Sequence, residues 1–548
     1  MNVAHLVGRT LARLGVGYAF GVVGSGNFQV TRALRAAGVP YLAARHEGGA
    51  ATMADAYARM SGRVAVLSTH QGCGLTNALT GITEAAKSRT PLLVVTADSA
   101  AAAVLSNFRV DQDALATAVG AVPERVHGAA SAVADTVRAY RIAYQQRRTV
   151  VLNLPLDVQA QTAAEVLDVV GPVDPPAAVR PDPASVAALA GLIAAADRPV
   201  FVAGRGARAA GAPLRELAEA SGALLATSAV AHGLFHDEPW SLGISGGFAS
   251  PLAAELITAA DLIVSWGCAL NMWTMRHGTL IGSGAKVAQV DVEQSALGAH
   301  RPVHLGVCGD VGQTAADVLA ALPGRAPRSG YRSPALAERI AREGRWNDVQ
   351  HSDLSTADQI DPRTLSDLLD RLLPRERVVA VDSGNFMGYP SAYLSVPDEH
   401  GFCFTQAFQS IGLGLATAIG AALAQPDRLP VAALGDGGFL MGISELETAA
   451  RLGLPLVVVV YNDAGYGAEV HHFTEATDAE LDTVRFPDTD VAAVAGGYGC
   501  AGLTVRTPDD LAGVSAWLDG PRGTPLVIDA KIADDGGSWW LAEAFRGH

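Results

Sequence analysis

The chain has 548 residues, enough for about three domains at roughly 150 residues each. Hydrophobic residues make up 49% and charged residues 17%, which excludes extended disorder. A net charge of −15 argues against nucleic acid or an anionic membrane as the main partner, although a local pocket can still be cationic.

The first residues lack a basic stretch followed by a long apolar core, so no signal peptide is expected, and no apolar run is long enough to span a bilayer. Five scattered cysteines, Cys73, Cys268, Cys308, Cys403 and Cys500, form no C-x-x-C pair and read as reduced thiols of a cytoplasmic protein. Short apolar runs alternate with amphipathic stretches, the pattern of parallel sheets covered by helices. A first segment, running to about 165, has strand-like residues 18–24, 63–70 and 91–98. Residues 171–183 (GPVDPPAAVRPDP) read as a linker. A second segment has strands at 199–206, 223–228, 261–267 and 286–292 and ends in a loop around 323–334. A third starts near 361 and adds 377–382, 430–435, 455–462 and 524–532. The expected fold class is α/β, with three successive doubly wound parallel-sheet domains at 1–168, 184–325 and 358–548.

Gly435-Asp436-Gly437-Gly438 directly follows the apolar strand PVAAL. Such a turn puts N–H groups and a helix start at the C-terminal edge of a sheet, where a diphosphate can sit. The diphosphate carries more charge than those dipoles neutralise, so a hard dication is needed; Mg²⁺ takes oxygen ligands at about 2.1 Å. Asp436 at one strand end and Asn462 or Asp463 at the next supply two of them. Gly-Asp-Gly alone is more often a tight turn, and the second cluster one strand later reverses that balance.

These motifs resemble the thiamine-diphosphate enzyme superfamily, whose signature is Gly-Asp-Gly, a spacer, then Asn-Asn. The resemblance implies thiamine diphosphate and Mg²⁺, with Asp436, Asp463 and the carbonyl of Gly465 as metal ligands and Asn462 in reserve. A carboxylate at 463 departs from the family pattern. Gly437, Gly438 and Tyr466 join the implied cofactor contacts. Arg45-His46-Glu47-Gly48-Gly49 resembles the activating-glutamate motif. There a carboxylic acid bonded to N1′ of the pyrimidine drives the imino tautomer that deprotonates thiazolium C2, a role suited to a buried Glu47. A helix-dipole role is its bland alternative. Gln409-Ser410-Ile411-Gly412 is similar to the stretch whose bulky residue wedges between the two cofactor rings. Ile411 takes that role, and the backbone around Gln409 contacts the pyrimidine. In Asp382-Ser383-Gly384-Asn385-Phe386, Gly384 and Asn385 are expected to close over the diphosphate. The family's order is pyrimidine-binding, middle and diphosphate-binding domain. It implies a homodimer or homotetramer in which Glu47 and Asp436 meet across a subunit interface.

The substrate pocket is less determined. Ser25 is a candidate to bind a substrate carboxylate or hydroxyl, against a structural role. His70 resembles the pocket histidine of benzoylformate decarboxylases and pyruvate oxidases, which assists proton transfer, and a structural histidine is equally compatible; Gln71 is a weaker neighbour. Arg109 or Gln112 is expected to face the substrate. The stretch 466–473 resembles loops of benzaldehyde lyase and acetolactate-synthase-like proteins, with one of His471 and His472 facing the pocket. Residues 267–271 lack the Arg-Phe-Asp of FAD-binding synthases, and Gly204-Arg205-Gly206 lacks full dinucleotide spacing, so FAD is not expected. Trp539-Trp540 belongs to a tail over the site or to an apolar docking patch.

The implied activity is that of an acetolactate-synthase-like carboligase or lyase, working on a 2-oxo acid and a carbonyl acceptor through an ylid and an enamine. Simple 2-oxo acid decarboxylation of the benzoylformate decarboxylase type is the alternative that Ser25 and His70 favour. A Rossmann-type nicotinamide oxidoreductase is the reading from another class. It lacks its strand–G-x-G-x-x-G–helix fingerprint in the first 40 residues.

Overall fold

The computed structural model describes residues 1–164, 167, 170–323 and 329–541; the expected domain ends at 168, 325 and 548 lie outside them. Runs of valine, alanine and leucine, buried on both faces, build three six-stranded sheets in which every paired strand is parallel. The first sheet holds β1 (Tyr18–Gly21), β2 (Tyr41–Ala43), β3 (Ala65–Thr69), β4 (Leu92–Asp98), β5 (Val122–Arg125) and β6 (Thr149–Pro155), in the order β2-β1-β3-β4-β6-β5. The second holds β7 (Pro199–Ala203), β8 (Leu224–Thr227), β9 (Ser241–Ile244), β10 (Leu262–Trp266), β11 (Lys286–Asp291) and β12 (Leu305–Cys308), in the order β12-β11-β10-β7-β8-β9. The third holds β13 (Arg377–Val381), β14 (Phe402–Phe404), β15 (Leu429–Gly435), β16 (Val457–Asn462), β17 (Ala501–Val505) and β18 (Leu526–Lys531), in the order β14-β13-β15-β16-β18-β17.

The strands that the apolar runs do not reveal are β2, β5, β9, β12, β14 and β17, together with β6. The first six are the two edges of each sheet. An edge strand is short and covered on fewer sides, so it does not need the continuous apolar run that marks a central one. In β6 the run is broken by Asn153, which is buried and hydrogen-bonded to Gln112 and Asp113.

Helix Glu47–Ser61 of the first domain crosses helix Gly414–Ala424 of the third. A Cβ on Gly420 would stand 2.3 Å from the Met53 carbonyl oxygen and 2.9 Å from the Ala56 Cβ, so the close crossing requires glycine. One core, including Phe20, Met53, Ile82, Ile419, Leu434 and Leu446, runs through both domains. Each large apolar side chain buried there contributes about 1.5–3 kcal/mol. The middle domain is fastened by Arg208, whose guanidinium donates to the carbonyls of Arg59 (3.1 Å) and Glu399 (2.6 Å). Gly204 and Gly206 serve the middle domain's own packing: Cβ atoms there would stand 2.5 Å from Cys268 Cα and 2.9 Å from Gly267 Cα.

Candidate active site

The C-terminal ends of β13, β15 and β16 deliver three loops to one place, the crevice where open parallel sheets bind ligands. Asp436 follows β15 and Asp463 follows β16, and their carboxyls face each other, Asp436 buried and Asp463 on the open side of the crevice. Partial desolvation by the surrounding loops, then the Asp436 charge, raises the Asp463 carboxyl above the usual carboxylate range. Burial raises Asp436 as well, against its contact with Asp463 and the backbone N–H groups of Gly437 and Gly465. Its Oδ1 is buried and has no hydrogen-bond partner. Two carboxylates this close stay ionised together only with a cation between them, so the pair suits a hard dication. Asn462 is engaged elsewhere: its Nδ2 donates to Asp529 Oδ1 (2.8 Å) and its Oδ1 accepts from the Ala464 N–H (3.1 Å). The structure therefore brings Asp463 to Asp436 and turns Asn462 away.

The glycines around the pair are sterically required. A Cβ on Gly437 would stand 2.6 Å from the Tyr466 ring, and one on Gly438 would stand 2.5 Å from Asp382 Oδ2. Gly465 bridges to Arg485, and Ala464 beside it is held at φ 55°. Gln409 is likewise held at φ 61°, just before Ile411. Left-handed backbone in non-glycine residues is strain that clusters at functional loops.

Asp382, named in the motif but given no role by the sequence, anchors the Ile411 loop. Its carboxylate accepts from the N–H groups of Ser383 (2.8 Å), Gly412 (2.9 Å) and Leu413 (3.3 Å). Complete burial outweighs these donors and pushes its pKa up to about 6. Gly384 adopts φ 142°, where a Cβ would press on the Phe386 ring at 2.9 Å. Asn385 fastens the C-terminal tail: its Oδ1 accepts from the Ser538 N–H (3.0 Å), and its carbonyl accepts from Ser538 Oγ (2.7 Å) and Trp540 Nε1 (3.0 Å).

Glu47 opens its helix and is half-buried, not fully buried as the sequence reading expects of the activating acid. Its Oε2 accepts from Asn77 Nδ2 at 3.1 Å. Among the described residues, no hydrogen bond joins Glu47 to the acidic pair. The turn that carries it is held by the third domain, where buried Glu445 accepts from the N–H groups of Arg45 (3.1 Å) and His46 (2.9 Å). Neither Asn77 nor Glu445 carries a sequence signal beyond its helical position.

Ser25 and His70 come together: Ser25 Oγ lies 3.4 Å from His70 Nε2. His70 Nδ1 lies 2.9 Å from the Gln71 carbonyl, which makes Nδ1 the protonated nitrogen and leaves Nε2 toward Ser25. Phe108 packs edge-on against the imidazole at 5.0 Å. Gln71 is buried behind them, its Oε1 without a partner. Gln112 requires a correction. It is buried, accepts from the Gly72 N–H (2.9 Å) and donates to Ala97 O (3.0 Å) and Asn153 Oδ1 (2.7 Å). Gln112 therefore shapes the Gly72 turn and does not face a substrate. Arg109 is exposed.

A cavity of about 260 Å³ beside the acidic pair is lined by Asn385, Asp463, Gly465, His471, Arg485 and Asp534, among others. His471 is thus the histidine of the pair that faces it. Trp540 is buried against Trp273 and Phe248 of the middle domain, and Trp539 stacks on Trp346 at 4.1 Å. The tryptophan pair therefore docks the tail onto a domain seam.

Residues 1–118 match the N-terminal TPP binding domain of thiamine pyrophosphate enzymes, 186–322 their central domain and 382–530 their C-terminal TPP binding domain. The chain belongs to the thiamine pyrophosphate enzyme family. Family membership makes it an enzyme with the two TPP-binding domains that carry Glu47 and Asp436. Its relatives include a probable 2-ketoarginine decarboxylase of Pseudomonas aeruginosa, 31% identical over 518 residues, covering 92% of this chain and 89% of the relative. A sulfoacetaldehyde acetyltransferase of Rhodobacter capsulatus is 29% identical, covering 98% and 94%. The acetolactate synthase large subunit of Parasynechococcus marenigrum is 28% identical, covering 95% and 86%. In fold, the family member resembles the thiamine diphosphate-dependent 4-hydroxybenzoylformate decarboxylase of Rhodococcus jostii RHA1, with a TM-score of 0.82 at 21% identity over 98% of this chain and 100% of that one. Among the described residues no helix is long and apolar enough to cross a membrane.

Proposed function

We propose that this enzyme uses thiamine diphosphate and Mg²⁺ to release CO₂ from a 2-oxo acid and then protonates the remaining carbon to give an aldehyde. The observation that carries the choice is Ser25 Oγ at 3.4 Å from His70 Nε2. Thiamine diphosphate, when bound, supplies the electron sink for the carbon left by CO₂. Asp436, Asp463 and the Gly465 carbonyl would hold Mg²⁺ against the diphosphate, and Ile411 would fill the angle between the cofactor rings. Glu47 would hold a proton at the pyrimidine ring, its carboxyl oriented by Asn77. Ser25 would bind the substrate carboxylate, and His70, protonated at Nδ1, would take a second proton from solvent at Nε2 and pass it to the product carbon.

The relatives support a second reading. Acetyltransferases and an acetolactate synthase align along more than nine-tenths of the chain, which favours transfer of the same carbon fragment to a second carbonyl. A homodimer, or a homotetramer built from it, accompanies both readings. Supporting it, Glu47 and the acidic pair lie in different domains without a hydrogen bond between them. Apolar side chains also stand in solvent on both domains: Leu105 (96% exposed), Val104 and Phe28 on the first, Met441, Phe473 and Phe408 on the third. Five unpaired cysteines favour the cytoplasm.

The test is product analysis by NMR with Mg²⁺, thiamine diphosphate and, separately, pyruvate, benzoylformate and 5-guanidino-2-oxopentanoate. An aldehyde supports decarboxylation. A hydroxyketone or a 2-hydroxy-3-oxo acid moves the assignment to carboligation. Binding of NAD(P) in place of thiamine diphosphate would overturn both.

A further inference from the structure

Two buried glutamates make the same contact in opposite directions between the first and third domains. Glu445 of the third domain accepts from two successive N–H groups of the first, Arg45 (3.1 Å) and His46 (2.9 Å), immediately before Glu47. Glu84 of the first domain accepts from two successive N–H groups of the third, Ala407 (3.1 Å) and Phe408 (2.6 Å), immediately before Gln409 and Ile411. Both carboxylates are almost fully buried, Glu84 at 0% and Glu445 at 2% exposure. Glu445 is steadied by Thr448 Oγ1 at 2.7 Å, and a Cβ on Gly49 would stand 2.5 Å from its Oε1, so the first domain leaves room for this one group.

Glu84 is steadied by Arg59, whose Nη2 donates to Oε1 at 2.7 Å. Arg59 also donates to Asp55 (2.9 Å) and to the Phe404 carbonyl (3.0 Å). Burial alone would raise the Glu84 carboxyl, but the Arg59 guanidinium and the N–H groups of Phe408 and Ala407 hold it below the usual carboxylate range. A charged acceptor makes each such hydrogen bond about twice as strong as a neutral one. On the Ile411 side the clasp meets a second anchor, since Asp382 holds Gly412 and Leu413. The left-handed Gln409 is thus fixed from both flanks.

We propose that Glu84 and Glu445 are reciprocal positioning residues, each locking the turn on the neighbouring domain that presents a cofactor-facing group, Ile411 in one case and Glu47 in the other. The proposal rests on the cofactor assignment made above. Neither glutamate touches the cofactor; each acts through backbone amides. Their removal loosens a turn and weakens cofactor capture while the fold persists.

Glu84→Asp and Glu445→Asp test this, because each keeps its charge (and Glu84 its partner Arg59) but draws the carboxylate back by one methylene. In cofactor-free protein, amide hydrogen exchange at Ala407 and Phe408 should accelerate at least about tenfold in Glu84→Asp, and at Arg45 and His46 in Glu445→Asp. Affinity for thiamine diphosphate with Mg²⁺, by calorimetry, should fall about tenfold in both. Should either variant fail to accumulate as folded protein, Glu84→Gln and Glu445→Gln, which keep the reach and one acceptor, should show smaller changes of the same kind. Unchanged amide exchange overturns the proposal. Faster exchange with unchanged cofactor affinity also overturns it, because the glutamates would then be merely structural. Failure of the wild-type protein to bind thiamine diphosphate overturns the cofactor assignment itself, and is recognised before any variant is made.

Discussion

His70 Nε2 points at the hydroxyl of Ser25 across 3.4 Å, because its other ring nitrogen is tied to the carbonyl of the next residue. One hydrogen bond thus selects the tautomer and aims the working nitrogen. Replacing His70 by Ala should lower turnover about 100-fold, the scale of a lost proton-transfer group, with cofactor affinity unchanged. Ser25→Ala should act mainly on KM if it binds the substrate carboxylate. Steady-state kinetics of both variants check this, and an undiminished kcat in His70→Ala would reduce His70 to a structural histidine.

Glu47→Gln should cut turnover by at least about 100-fold, since an amide cannot hold and return the proton. Asn77→Ala should do less, because it removes only the group that orients Glu47. Thermal melting of the cofactor-free variants should stay near wild type, given that Glu47 is half-buried and sits at a helix start. Wild-type turnover in Glu47→Gln would falsify the assigned role.

Asp463→Asn should stabilise the metal-free protein and weaken Mg²⁺ binding. The two facing carboxyls repel each other when both are ionised without a cation, and an amide relieves that repulsion while offering a poorer oxygen. The measurement is the melting temperature with EDTA and with Mg²⁺ plus thiamine diphosphate. Wild type should gain more from the additions than the variant does. Equal gains would move the metal away from Asp463.

Asp382 gives a pH signature of known sign. Its pKa is raised from 3.8 to about 6, so the folded protein binds more protons than the unfolded chain between those values. Its favourable contribution is therefore present below pH 3.8 and is lost as pH rises through 6, an effect of about 3 kcal/mol. Cofactor-free wild type should lose more melting temperature from pH 4.5 to 7 than Asp382→Asn does. Parallel melting curves for the two proteins would mean that the carboxyl titrates as if exposed.

The three sheets were legible because central parallel strands must be apolar throughout; β16 reads Val457-Val458-Val459-Val460 and is wholly buried. Edge strands such as β14 and β17 escaped the same reasoning because less of their surface needs covering. In the site, Asp436, Asp463 and Ile411 announce themselves by motif. Asp382 lies within a motif, yet its role depends on N–H groups some thirty residues ahead, which no local pattern encodes. Gln112 misled because a buried amide that shapes a turn looks, in one dimension, like an amide facing a substrate. Glu84 and Glu445 were invisible for a related reason: their partners are backbone atoms more than 320 residues away.

Four of the seven tryptophans, Trp273, Trp346, Trp539 and Trp540, gather where the tail meets the middle domain. The emission of this protein is therefore weighted toward one seam. Separation of the middle domain from the rest would wet these indoles before the shared core of the outer domains opens. A red shift in fluorescence should then precede the loss of far-ultraviolet ellipticity, giving the enzyme a built-in optical gauge of domain parting.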